Sequence, residues 1–265
     1  MLHGCKQNAE EFAACTRMDA FADLHDFLVA WPSQSVRRNR GKCWNWFEPA
    51  HQSRGRGEPG LLAEIVEQVI DKYPVDPARI FVAGFSAGGA MALLLGQTYP
   101  DLFSGVASHS GVPVGAALGP ASALKAMKEG TKHPGAWSVR RPVPVRTIIF
   151  QGAADRLVAP QNSQLIADDA VHAFRRHSST LVREREPVTR PGKRPCLLTR
   201  HRDATGKVMV EQWVIEGGRH AWSGGAPRTC LSDPLGPDAS AELVRFLMEQ
   251  TSSQAPAALN DTGAQ

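Results

Sequence analysis

The stretch Arg79-Ile80-Phe81-Val82-Ala83-Gly84-Phe85-Ser86-Ala87-Gly88-Gly89-Ala90-Met91-Ala92 constrains the fold more than any other part of the chain. A short apolar run ends in Gly84-x-Ser86-x-Gly88 and passes without a break into Ala87 to Gln97, whose small residues favour a helix. The segment therefore reads as a strand, a sharp turn and a helix. A serine raised on such a turn takes a strained backbone conformation, and glycines must flank it because a Cβ there would collide with the neighbouring strand or helix. Gly84, Gly88 and Gly89 meet that need. The pentapeptide alone also fits a Gly-rich turn with a capping serine, so its weight depends on what surrounds it.

With 265 residues the chain has the length of one large α/β domain. Its 42% hydrophobic and 21% charged residues are those of an ordinary globular protein. No uncharged apolar run reaches the ~20 residues of a membrane span, so no membrane association is expected. The net charge of +4 is spread over patches such as Arg37-Arg38-x-Arg40 and Arg175-Arg176. Without interleaved aromatics these read as solvated surface, and no nucleic-acid partner is expected. The five cysteines form no C-x-x-C pair and have no zinc-like spacing with histidine, and being odd in number they leave at least one free or paired between chains. Gly55-x-Gly57-x-x-Gly60 formally matches a dinucleotide fingerprint, but the polar residues Glu48 to Arg54 before it are no strand, and a nucleotide site is rejected.

In chain order, Leu2-His3-Gly4-Cys5 has the form of a turn that follows a strand, yet only Met1 and Leu2 precede it, so that strand is expected to be absent or a stub. Glu10 to His25 has helical spacing, Phe27 to Trp31 reads as a buried strand, and Ser33 to Lys42 as a loop. Cys43-Trp44-Asn45-Trp46-Phe47 is unusually aromatic, which fits packing more readily than ligand contact. Pro59 to Lys72 is a predicted helix, Phe103 to Ser108 a strand, and residues 112 to 146 an insertion around a helical patch, Ala121 to Lys128, that would roof the site. Thr147 to Gln151 is a buried strand and Gln164 to Arg175 a helix. The charged, proline-containing Glu184 to Pro195 is a surface loop, and Val208 to Ile215 a strand. Asp238 to Gln250 is an amphipathic helix capped by Asp238 or Ser240, and the small polar tail 251–265 is predicted to be disordered.

Alternating strands and helices imply a parallel sheet covered on both faces, with reactive groups at the carboxyl ends of the strands. Ser86, Asp155 and His220 each stand just after a predicted strand, in the order nucleophile, acid, base, which is the α/β-hydrolase order. Taken singly, Asp155 also fits a turn residue and His220 a loop histidine bonded to backbone. Their joint placement behind three strands decides for catalysis. Two N–H donors must also face the developing oxyanion, and Ala87 and Cys5 are the candidates.

The strings Leu2-His3-Gly4-Cys5, Cys43-Trp44-Asn45-Trp46-Phe47, Gly84-Phe85-Ser86-Ala87-Gly88-Gly89 and Gly218-Arg219-His220-Ala221-Trp222-Ser223-Gly224-Gly225 together resemble the esterase family of polyhydroxybutyrate depolymerases, which includes feruloyl and acetylxylan esterases. The resemblance runs from Leu2 to about Gln250. It implies an α/β-hydrolase domain over residues 1–250, lacking its first strands, and a catalytic triad of Ser86, Asp155 and His220. It further implies ester hydrolysis through an acyl-enzyme without metal or cofactor, and substrate contacts from Trp222, Trp44 and His3. A Cys5–Cys43 disulfide and an extracellular location are implied as well, although no signal peptide opens this chain and the cytoplasm is the alternative. No separate polymer-binding domain follows Gln250, which favours soluble short-chain esters or oligomers over solid polyester, with no obligate protein partner. The competing reading is a truncated, catalytically impaired homologue that persists as a binding module, suggested by the start at Met1-Leu2.

Overall fold

In the computed structural model, which describes residues 1–130, 142–177, 180–229 and 231–249, the apolar run before Ser86 becomes strand β1 (Phe81–Phe85), and three further strands extend the sheet in parallel. These are β2 (Gly105–His109), β3 (Arg146–Gly152) and β6 (Val208–Ile215), each hydrogen-bonded to the one before it in that order. Two antiparallel strands, β4 (Val182–Val188) and β5 (Cys196–Arg202), complete the order β1-β2-β3-β6-β5-β4. The sequence therefore yields a mostly parallel sheet whose strand ends gather on one rim.

Side chains alternate across this sheet because successive Cβ atoms point to opposite faces. Val82, Val106, Ile149 and Val210 enter one core with helices α3 (Gly57–Lys72), α4 (Ala87–Thr98) and α6 (Gln161–Arg176). Ala83, Phe85, Ala107, Ile148, Phe150 and Trp213 enter the other, facing α1 (Ala9–Thr16), α2 (Met18–His25) and α7 (Ala239–Met248). Helix α5 (Pro120–Glu129) contacts α6. Among the described residues no helix is long and apolar enough to cross a membrane.

Three sequence expectations are corrected. The single helix from Glu10 to His25 is two, broken at Arg17, whose φ of 56° lies in the left-handed region and turns the chain. Phe27 to Trp31 is not a strand: Leu28 is 57% exposed, and Ala30 O accepts from the Met1 amino group at 2.9 Å and from no neighbouring strand among the described residues. Apolar letters there cover a trench of about 800 Å3 beside the outer edge of β1, lined also by Ile65, Val69 and Ile80, instead of joining the sheet. Conversely, the surface loop expected at Glu184 to Pro195 contributes most of β4. An edge strand exposed along nearly its whole length needs no apolar alternation; its Glu184 and Glu186 pair across the ladder with Arg202 and Arg200.

The strand expected before His3 is one residue long. Leu2 N–H donates to Ala83 O at 2.8 Å and Leu2 O accepts from Phe85 N–H at 3.0 Å, a single parallel bridge to β1. Residues 131–141 of the insertion and the tail 251–265 lie outside the described residues.

At α7 the cap is Asp238, whose carboxylate accepts from Ala241 N–H at 3.1 Å and also meets Arg17. The ion pair is exposed enough to contribute little. Asp238→Ala is therefore expected to cost about 1 kcal/mol, the value of one cap, and to lower the calorimetric midpoint by about 2–4 °C. An unchanged midpoint would show that the cap is not used.

Candidate active site

The turn from β1 into α4 forces Ser86 to φ 56° and ψ −117°, a conformation costing roughly 1–3 kcal/mol that tight surroundings must hold in place. Two glycines make those surroundings possible. A Cβ on Gly84 would lie 2.3 Å from the Gly88 carbonyl, and one on Gly88 would lie 2.1 Å from Leu2 O and 2.6 Å from His3 O. The chain at Leu2 and His3 thus passes directly over the first turn of α4.

Asp155 lies in the loop leaving β3. Its Oδ1 accepts from the Leu157 and Val158 N–H groups at 2.8 and 2.9 Å, and its Oδ2 accepts from Gln151 Nε2 at 3.2 Å. His220 sits in the loop after β6. Its Nδ1 is 2.7 Å from Asp155 Oδ2 and its Nε2 is 3.0 Å from Ser86 Oγ. The carboxylate can only accept, so Nδ1 carries the proton and Nε2 presents a lone pair to the serine hydroxyl. Burial alone would raise the Asp155 pKa. The hydrogen bond and charge of His220, with the two backbone N–H groups, outweigh it and hold the carboxyl below its usual range.

The two loops meet because Gly152 has no side chain: a Cβ there would lie 2.4 Å from Gly218 O. Ala154 N–H then donates to that same carbonyl at 2.8 Å. The Phe85 ring supports the imidazole, its centroid 4.8 Å away. Sequence analysis overlooked Gln151, although a glutamine closing the apolar run Thr147-Ile148-Ile149-Phe150 is itself a signal. Fully buried, it donates to Asp155 Oδ2, Gly152 O and Val158 O.

On the opposite wall, Cys5 is joined to Cys43 by a disulfide. Lys6 N–H donates to Gly41 O at 2.7 Å, and Gly4 N–H to Gln7 Oε1 at 2.9 Å, so both neighbours of Cys5 have acceptors. Among the described residues, neither the Cys5 nor the Ala87 N–H has one.

The three side chains that the resemblance implies as substrate contacts are buried. His3, Trp44 and Trp222 are 0, 4 and 1% exposed, and each already has protein partners. Trp44 Nε1 donates to His3 O, His3 Nε2 accepts from Gln34 N–H, and Trp222 Nε1 donates to Ser240 Oγ. Behind them Glu58, also overlooked, accepts from Gln34 Nε2, Asn45 N–H and Asn45 Nδ2 at 2.6 to 2.7 Å. Trp44 and Trp222 belong to the two different cores on either side of the sheet, and Glu58 ties together the Gln34 and Asn45 segments beside His3 and Trp44. Among the described residues no three His, Cys, Asp or Glu side chains group as a metal site requires.

Comparison with known proteins agrees with this architecture. Poly(3-hydroxyalkanoate) depolymerase C of Paucimonas lemoignei is 32% identical over 229 residues, which span 83% of this chain and 53% of that protein. Feruloyl esterase B of Neurospora crassa is 33% identical over 175 residues, 60% of this chain and 59% of its own. The chain therefore spans a little over half the length of these relatives. Acetyl xylan esterase from Aspergillus awamori superposes with a TM-score of 0.71 at 19% identity, covering 93% of this chain and 86% of its own, which shows a shared α/β-hydrolase fold. Residues 1–180 match the family model described as Esterase PHB depolymerase, and the chain belongs to that family.

Proposed function

We propose that the chain is a serine esterase that hydrolyses carboxylic esters through an acyl-enzyme. The observation that carries this reading is one imidazole within hydrogen-bond reach of both a strained serine hydroxyl, at 3.0 Å, and a buried carboxylate, at 2.7 Å. A serine hydroxyl is a weak nucleophile near neutral pH. As Ser86 Oγ attacks the ester carbonyl, its proton passes to His220 Nε2, and Asp155 stabilises the imidazolium and keeps its orientation. The negative charge that develops on the carbonyl oxygen is received by the N–H groups of Ala87 and Cys5, the first backed by the positive end of α4. His220 then returns the proton to the leaving alcohol, and water repeats the sequence to release the acid.

The substrate class is supported by the relatives, which are named as a poly(3-hydroxyalkanoate) depolymerase, a feruloyl esterase and, in a further case, a probable acetylxylan esterase. Short-chain esters and hydroxyalkanoate oligomers are the substrates proposed here. The Cys5–Cys43 disulfide supports an oxidising, extracellular setting.

The test is covalent trapping. A fluorophosphonate is expected to stop hydrolysis of p-nitrophenyl acetate and to appear by peptide mass spectrometry on Ser86 alone. Label on another residue, or inhibition without label, would remove the assignment.

A further inference from the structure

His109, the last residue of β2, lies beneath the site and takes no part in the mechanism above. Its ring is 1% exposed, stacked on Phe150 at 5.7 Å and on Trp222 at 5.1 Å, with Phe85 edge-on at 5.5 Å. Two of its polar atoms hold the two arms of the site. The carbonyl accepts from the Ser86 N–H at 2.8 Å, and Nε2 accepts from the Ser223 N–H at 3.0 Å. Ser223 is three residues beyond His220, in the short strand Trp222–Ser223 that follows it.

A backbone N–H can only donate, so Nε2 must be unprotonated. The ring proton then sits on Nδ1, directed at Ser110 Oγ 3.1 Å away. Burial, helped by the nearby His220, pushes the pKa of His109 down to about 3. A second imidazole close to the serine thus stays neutral and does not compete for its proton.

We propose that His109 is a positioning residue for the base, its Nε2 clamping the Ser223 amide and so holding the segment 220–223 where His220 reaches Ser86. The role rests on the serine-esterase reading. Any large aromatic would fill the space between Phe150 and Trp222; only a side chain with an acceptor at this reach can hold the amide.

That distinction sets the test. His109→Phe keeps a stacked ring and removes the acceptor, whereas His109→Gln loses the ring and offers an amide oxygen to Ser223. With p-nitrophenyl acetate, His109→Phe is expected to lose about 10- to 100-fold in kcat with KM nearly unchanged, the scale of a sub-ångström to 1 Å misplacement. His109→Gln is expected to recover most of that loss. Were the ring there only for packing, the order would reverse, so a His109→Phe variant at least as active as His109→Gln overturns the proposal. Imidazole 15N NMR of the wild-type protein at pH 7 tests it without any variant: Nδ1–H with a bare Nε2 is expected, and the opposite tautomer overturns it. Ser86→Ala separates the two readings. If it turns over at the wild-type rate, the esterase reading falls and this role with it; if it is inactive while His109→Phe is unimpaired, this role alone falls.

Discussion

Ser86→Ala is expected to lower kcat for a p-nitrophenyl ester by about 10^4- to 10^6-fold, the range over which removal of a triad nucleophile leaves only binding and oxyanion stabilisation. The structure argues that this loss will be chemical and not structural. The turn is held by Gly84 and Gly88, whose closeness to neighbouring backbone is independent of the residue between them. Alanine at φ 56° carries the same backbone strain as serine. The Ser86 N–H keeps its bond to His109 O, and among the described residues the one hydrogen bond lost is that from Oγ to His220 Nε2. The thermal midpoint should therefore move by less than about 2–4 °C, the shift made by 1 kcal/mol in a protein of this size. A correctly folded Ser86→Ala protein within ten-fold of the wild-type rate would show that another group attacks the ester.

What the sequence disclosed follows from how local each cause is. The β1–α4 turn is written in adjacent letters because the close approach that requires glycine at position 84 acts within four residues of Ser86; the carbonyls of Leu2 and His3 over Gly88, and that of His109 on the Ser86 N–H, are the distant constraints. The parallel strands were legible because both faces are buried, so apolar runs such as Thr147 to Phe150 stand out. Strand β4 was not. It lies at the edge, its residues are exposed, and it is held by β5 and by Arg–Glu pairs 14 and 18 residues apart, which no local window reveals. Phe27 to Trp31 failed in the opposite sense: apolar letters report burial, and here that burial is partial and without a pairing strand.

The same logic explains the walls of the site. Trp44, Trp222 and His3 lie in the strings that carry the family resemblance, and that resemblance implied contact with substrate. Their partners are distant: Ser240 for Trp222, Gln34 for His3, and through Gln34 the carboxylate of Glu58. A buried carboxylate with three donors is visible only once the chain is folded, since Gln34 and Asn45 lie in loops and Glu58 in the first turn of α3.

Asp155→Asn should cost about 10^4-fold in kcat through the tautomer of His220. In the native site Oδ1 faces two backbone N–H groups, and Oδ2 faces His220 Nδ1 and Gln151 Nε2. An asparagine must set its Nδ2 against one of these donor pairs. The backbone pair cannot stop donating, whereas the imidazole can move its proton, so Nδ2 turns toward His220. The proton then lies on Nε2, 3.0 Å from Ser86 Oγ, and the ring can no longer accept from the serine. Gln151 cannot simply exchange its amide ends to help, because its Nε2 also donates to Gly152 O and Val158 O. KM should change little, since no binding surface is altered. Stability supplies an independent check. The folded-state pKa of Asp155 is depressed, so its contribution is fully present above the unfolded value of about 3.9 and is lost as pH falls through the folded one. The gap in thermal midpoint between wild type and Asp155→Asn should therefore be widest near neutral pH and should close as the solution is acidified below about pH 4. A gap that widens on acidification, or a variant retaining a tenth of the wild-type kcat, would place the catalytic carboxylate elsewhere.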